Sequence, residues 1–225
     1  MALILNIDTA IDIAYVTLAK DGEIIATINN KEQKEHGGFL QPAIQKLILN
    51  NGYSLKNLDA IAISAGPGSY TGLRVGMATA KGLCYTLNKP LISVITLEIL
   101  TFSALLEYPE TLDVTTLLCP LIDARRMEVY TALYDLNLKT VINPCAIVLT
   151  ETYLANEMLK QPLLFSGNGA KKFKEICNSN NAIFFEISNN PLAMSRLAEK
   201  KFNHSDFSNL AYIEPYYIKE FFVGK

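Results

Sequence analysis

The sequence predicts an α/β protein built from two copies of one unit, and three observations point there. Ile7, Asp8, Tyr15 and Leu18 recur as Ile122, Asp123, Tyr130 and Leu133, each pair 115 positions apart. Both sets share a context: a strand, a short turn holding an aspartate, and a second strand. The elements that follow also repeat in order, a third strand and then helices alternating with strands. Lobes of 1–110 and 111–225 are expected, divided near 108–113 where Tyr108-Pro109-Glu110 interrupts a helical pattern, with the C-terminal segment packing back on the first lobe. A chain of 225 residues accommodates this.

Each element has a local reason. Residues 2–8 read as a strand ending on Asp8-Thr9, and 13–19 alternate as a second strand. Lys20-Asp21-Gly22-Glu23 carries the Asp-Gly hairpin signal, and 24–28 return as the third strand. After Gly37-Gly38, Leu40, Ala43, Ile44, Leu47 and Ile48 share one helical face, with Pro42 in the first turn and Gly52 at the C-terminal cap. A strand at 58–64, a Gly-rich loop, a helix over 71–87 stopped by Pro90, a strand at 91–95 and a helix over 96–107 complete the first half. The second half adds a third strand at 140–149, a helix over 150–159 and a strand at 163–165 feeding Ser166-Gly167-Asn168-Gly169. A helix over 170–178, a strand at 182–186 and a helix from near Pro191 follow. This organisation is what an actin-like (ASKHA, ribonuclease H-like) fold with two duplicated lobes requires.

Composition narrows the function classes. Hydrophobic residues make up 50% and charged residues 19%, which excludes a disordered chain. No apolar run reaches membrane-spanning length, and Met1 to Leu5 read as a strand rather than a leader, so the cytoplasm is expected. Cys84 and Cys119 lie in apolar helix and strand patterns and read as free thiols of a reducing compartment. Two histidines, His36 and His204, leave little for metal or general-base chemistry. A net charge of −2 and no basic run beyond pairs such as Arg125-Arg126 argue against an independent grip on RNA.

The most informative segment runs from Ser64 to Gly76, Ser-Ala-Gly-Pro-Gly-Ser-Tyr-Thr-Gly-Leu-Arg-Val-Gly, between a strand and a helix. Such a junction can offer amides to an anion, or it can be a rigid turn that caps the helix. It lacks the Gly-Lys-Ser/Thr of a P-loop, and Gly72 falls one residue late for a dinucleotide fingerprint. The following helix carries small residues at Gly76, Ala80 and Cys84, and again at Ala78 and Gly82, with apolar residues over the rest. Two readings stay open: burial between sheet and neighbouring helix, or one face meeting a partner chain.

Gly66-Pro67-Gly68-Ser69-Tyr70-Thr71-Gly72-Leu73-Arg74 resembles the signature of the TsaB (YeaZ) family, with Tyr70 where Phe is usual. The resemblance continues through Ala80-Lys81-Gly82-Leu83, Pro90 to Val94, Asp8-Thr9, Asp123 to Tyr130 and Pro215-x-Tyr217-Ile218-Lys219, where Lys replaces Arg. Glu35-His36-Gly37-Gly38-Phe39-Leu40 is similar to a further family segment. The catalytic paralogue of that system, TsaD, carries a His-x-x-x-His metal pair after a comparable strand. With Val94 aligned to the paralogue's valine, Thr96 and Leu100 stand at the two histidines and Glu98 keeps the glutamate. Threonine and leucine do not replace two imidazoles on one helical face. No metal, cofactor or catalytic residue is therefore expected.

The resemblance implies a non-catalytic subunit needed to form N6-threonylcarbamoyladenosine (t6A) at adenosine 37 of tRNA. It implies pairing with TsaD through the first two helices, engagement of the P-loop ATPase TsaE, a homodimer when alone, and tRNA held only through the complex. The expected partner-binding residues are His36, Leu40, Ala43, Ile44 and Leu47 on the first helix. On the second they are Leu73, Arg74, Gly76, Met77, Ala80, Lys81 and Cys84, with Leu40, Met77 and Ala80 facing outward. Arg125 and Arg126 are either solvated turn charges or a contact for acidic groups on a second partner. Asp8 and Thr9 read as a vestigial nucleotide site, or Asp8 simply satisfies turn amides. The competing class is a nucleotide-dependent actin-like enzyme or an M22-type peptidase homologue. No nucleophile elbow supports the latter, since Ser166 lacks the preceding glycine.

Overall fold

The computed structural model describes residues 2–31 and 36–219, and the side chains of 2–31 and 38–219. It begins with the expected meander: β1 (Leu3–Asp8), β2 (Ala14–Lys20) and β3 (Glu23–Asn30) pair antiparallel. Asp21 and Gly22 both adopt positive φ, 54° and 77°, the backbone that a two-residue hairpin between right-twisted strands needs. After α1 (His36–Asn50), β4 (Ala60–Gly66) lies parallel to β1. After α2 (Tyr70–Leu87), β5 (Leu91–Ile95) lies parallel to β4. The sheet order is β3-β2-β1-β4-β5.

The second half repeats this plan. α3 (Thr96–Glu107) leads to β6 (Leu117–Asp123), β7 (Glu128–Tyr134) and β8 (Thr140–Val148), another antiparallel meander. α4 (Ala155–Met158), β9 (Leu163–Ser166), α5 (Ala170–Lys174), β10 (Ala182–Phe185) and α6 (Pro191–Asn203) follow. The order β10-β9-β6-β7-β8 reproduces the first sheet, with β9 parallel to both β6 and β10. The sequence repeat is therefore a structural repeat, and Asp8 and Asp123 end equivalent strands. Register differs by one residue: Tyr15 faces Asp8, whereas Tyr130 faces Ile122.

The chain forms two compact units, Met1–Ile99 with Asn189–Tyr216, and Leu100–Ser188 with Tyr217–Lys225. These bounds differ from the 110/111 division read from sequence. α6 buries Ala193, Met194, Leu197 and Ala198, and the helix packs on the first sheet. Its ends are conventional: Asn190 accepts the Leu192 amide at 2.7 Å, Pro191 opens the helix, and Lys200 and Lys201 fill the last turn. Two local readings change. α1 starts at His36, so Pro42 stands in its second turn, where its missing donor lies on the exposed side. The helix expected over 150–159 shrinks to Ala155–Met158 because Leu154 turns left-handed at φ 52°.

The first core joins Leu5, Ile7, Val16 and Leu18 of the sheet to Leu40, Ile44 and Leu47 of α1 and Met77, Ala80 and Cys84 of α2. The second gathers Phe165, Phe173 and Phe184, with ring centroids 4.8–5.9 Å apart. Each fully buried large side chain contributes about 1.5–3 kcal/mol. Burial pushes the thiols of Cys84 and Cys119 up to about 12 from an ordinary 9.0, with the hydrogen bonds they make lowering them only in part. Across that window the unfolded chain loses thiol protons that the folded chain keeps, so stability present below about pH 9 is lost as pH rises. Urea midpoints should fall between about pH 8 and about pH 10.5, and a Cys84→Ala, Cys119→Ala variant should show a smaller fall. An identical fall in that variant would assign the effect to other groups.

Candidate functional site

β1 delivers Asp8 to a buried position at its C-terminal end. One carboxylate oxygen accepts from the Ser64 hydroxyl at 2.6 Å and the Ala10 amide at 3.1 Å; the other accepts from the Asn189 side-chain amide at 2.7 Å. Thr9 donates its hydroxyl to the Gly72 carbonyl at 2.7 Å. The Gly-rich loop closes over this turn. A Cβ on Gly68 would stand 2.1 Å from the Ala10 carbonyl oxygen, and one on Gly72 would stand 2.1 Å from that of Thr9. The glycines of the signature thus permit backbone-to-backbone approach.

The loop amides are used as well. Ser69 N–H donates to the Ala10 carbonyl at 2.6 Å, Gly66 N–H to the Thr96 hydroxyl at 3.1 Å, and Gly72 N–H to the Ser69 hydroxyl at 3.4 Å, which caps α2. Ser69 thus caps α2, as the rigid-turn reading of this junction expects. Both carboxylate oxygens of Asp8 accept hydrogen bonds from within the chain, and the Ser69, Gly66 and Gly72 amides donate within it as well.

Thr96 and Leu100, at the positions aligned with the paralogue's histidines, are both buried, and Thr96 serves Gly66. Glu98 is half-buried in a cavity of about 230 Å³ with Leu197, Lys200, Lys201, His204 and Asp206. Desolvation raises its carboxyl above the usual range, and the charges of Lys201 and Lys200 lower it in part. Among the described residues no group of three or more His, Cys, Asp or Glu could hold a metal ion. These residues do not fit a histidine-held metal.

The partner-facing assignment on α1 and α2 needs correction. Leu40, Ala43, Ile44, Leu47, Leu73, Gly76, Met77, Ala80 and Cys84 are all buried within the chain. A Cβ on Gly76 would meet the Thr9 hydroxyl at 2.4 Å, so this small-residue stripe admits the strand-end turn rather than another protein. Arg74 is exposed, its guanidinium 4.1 Å over the Tyr70 ring. Lys81 donates to the carbonyls of Ile213 at 3.0 Å and Ala211 at 3.5 Å, which ties it to the C-terminal segment. The side chain of His36 lies outside the described residues.

The outward face of these helices is a different set: Pro42 and Leu49 on α1, and Ala78, Gly82 and Tyr85 on α2. Leu49 is 64% exposed and Tyr85 is 83% exposed, large apolar groups left in water by the chain itself. The second small stripe, Ala78 and Gly82, was the sequence signal for this face, and Gly82 has open space around it.

Arg125 and Arg126 occupy the tip between β6 and β7 with φ of 73° and 48°. Each left-handed residue with a Cβ costs about 1–2 kcal/mol. The Arg125 amide donates to the Asp123 carboxylate at 2.5 Å, which holds the turn.

A sequence-family model described as TsaD, tRNA N6-adenosine threonylcarbamoyltransferase, matches residues 23–219. The tRNA threonylcarbamoyladenosine biosynthesis protein TsaB of Bacillus subtilis is 32% identical over 178 residues, 77% of this chain and 74% of that relative. TsaB of Escherichia coli is 36% identical over 132 residues, 59% of this chain and 54% of its own, so the match spans about half of that relative. YeaZ from Pseudomonas aeruginosa superposes with a TM-score of 0.81 at 24% identity, covering 96% of this chain and 100% of that one. The activator of 2-hydroxyisocaproyl-CoA dehydratase from Clostridium difficile superposes with a TM-score of 0.51 at 9% identity, covering 91% and 96%. The duplicated sheets define an actin-like α/β protein, and its strand-end turn and glycine loop are closed on each other. Within the proteins that the TsaD model describes, the chain belongs to the TsaB (YeaZ) family.

Proposed function

We propose that this chain is a non-catalytic subunit required to form t6A in tRNA. The carrying observation is that the groups an active actin-like enzyme would turn toward phosphate or metal are consumed inside the chain: Asp8 by Ser64, Ala10 and Asn189, and position 96 by the Gly66 amide. What the chain offers instead is surface. Leu49, Ala78, Gly82 and Tyr85 form an outward face on adjacent helices, suited to the corresponding helices of the TsaD paralogue. The same face supports a homodimer when the paralogue is missing, because one apolar face serves either partner. The pair engages the ATPase TsaE in the cytoplasm and holds tRNA only as a complex. Among the described residues no helix is long and apolar enough to cross a membrane.

The test is a reconstituted modification assay with the paralogue, the ATPase and this chain, each omitted in turn. Omitting this chain should abolish t6A formation, and the chain alone should neither hydrolyse ATP nor cleave peptides at an enzyme-like rate. Full activity without it, or turnover of ATP by it alone, would defeat the reading.

A further inference from the structure

The hairpin tip of the second unit carries charge that the chain does not use. Among the described residues, neither the Arg125 nor the Arg126 guanidinium has a hydrogen-bond or ion-pair partner, and both residues are exposed. The two acids that flank them are already neutralised. Lys172 of α5 donates to the Asp123 carboxylate at 2.6 Å and to the Glu128 carbonyl at 3.3 Å, and Lys219 pairs with the Glu128 carboxylate. Met127 stands next to them and is 38% exposed. Glycine would occupy consecutive left-handed positions without this strain, and asparagine with less of it, so the arginines are not there to make the turn.

We propose that Arg125, Arg126 and Met127 form a docking tip for a protein partner that presents clustered carboxylates around an apolar contact. Guanidinium groups pair with carboxylates through two parallel hydrogen bonds, and Met127 supplies adaptable apolar contact between them. A nucleic acid is the weaker fit. Two uncompensated cations neutralise few phosphates, and the chain's net charge is −2, whereas nucleic-acid grips use a broad basic surface. The inference goes beyond the proposed pairing face and is independent of it, because the tip belongs to the other unit.

The test uses the full chain with three probes: a short peptide of glutamates flanking a leucine, its glutamine analogue, and an oligouridylate matched in charge to the first. Amide shifts are followed by NMR, and thermal unfolding is measured on every variant. The acidic peptide should perturb residues 124–128 and the glutamine peptide should not. Arg125→Gly with Arg126→Gly should lower the affinity about tenfold or more, the effect expected when charge-assisted pairs are lost. Its unfolding temperature should be unchanged or raised, since glycine relieves the left-handed backbone. Arg125→Lys with Arg126→Lys keeps the charge but not the fork and should bind in between. Added salt should weaken every positive result. Unchanged affinity in the glycine variant, shifts centred away from the tip, or tighter binding of the oligouridylate would each overturn the proposal; if the glycine variant does not fold, lysine-variant affinity equal to the native protein's would do so.

Discussion

Replacing Ala80 with arginine is expected to unfold the first unit, while the same change two residues earlier, at Ala78, leaves the chain folded and abolishes pairing. Ala80 has no accessible surface and lies among Ile44, Ile61, Met77 and Cys84 of one core. An arginine there introduces an unpaired buried charge, which costs about 3–5 kcal/mol or more, and overpacking adds about 1–3 kcal/mol. Domains of this size retain only about 5–15 kcal/mol of stability, so the sum removes most of it. Ala78 points to solvent between Arg74 and Gly82. An arginine at 78 keeps its water in the monomer and loses it only in a helix–helix seam. Circular dichroism on heating and partner binding by calorimetry separate the cases: a folded Ala80→Arg would refute the core assignment, and normal pairing by Ala78→Arg would refute the outer face.

The second large effect concerns two glycines of one helix. Gly72→Ala should destabilise the chain by about 3 kcal/mol or more, because backbone atoms have nowhere to go when a close-packed site is overfilled. The new methyl would sit 2.1 Å from the Thr9 carbonyl oxygen and would also disturb the 2.7 Å bond from the Thr9 hydroxyl to Gly72. Gly82→Ala should instead stabilise by about 1 kcal/mol, since helix propensity rises and nothing lies within 4 Å to resist. For a chain of this length that is a rise of about 2–4 °C in the unfolding midpoint. Similar midpoints for the two variants would show that the signature glycines do not serve close approach.

Local chemistry made much of the architecture legible. The Asp21-Gly22 hairpin, the capping of α2 by Ser69, the opening of α6 at Asn190-Pro191 and the alternation over 13–19 all depend on residues near one another in sequence. The duplication was equally legible, because Asp8 and Asp123 each end a strand that leads into a meander. The extent of the second-half helices was not. Leu154 adopts a left-handed conformation in a stretch with no glycine or proline to mark it, and the helix begins only after it.

The candidate surface was legible as two helices but not as faces of them. α2 carries apolar or small residues almost all round, so periodicity alone leaves its inward side undetermined. Thr9 and Ile63 settle it by lying against Gly76, which turns Met77, Ala80 and Cys84 into the core and leaves Ala78, Gly82 and Tyr85 in water. The same holds for Asp8: its residue type at a strand end is compatible with holding a magnesium ion or with holding a turn. In the folded chain Asn189, 181 residues further along, donates to its carboxylate, while the Ala10 amide of its own turn donates to it as well. Sequence by itself determined the elements, their repeat and the family, because those rest on local propensity and on residue identity. Which side of each helix faces water, and which polar groups are already satisfied, only the tertiary structure decided, because both depend on atoms brought together from distant parts of the chain.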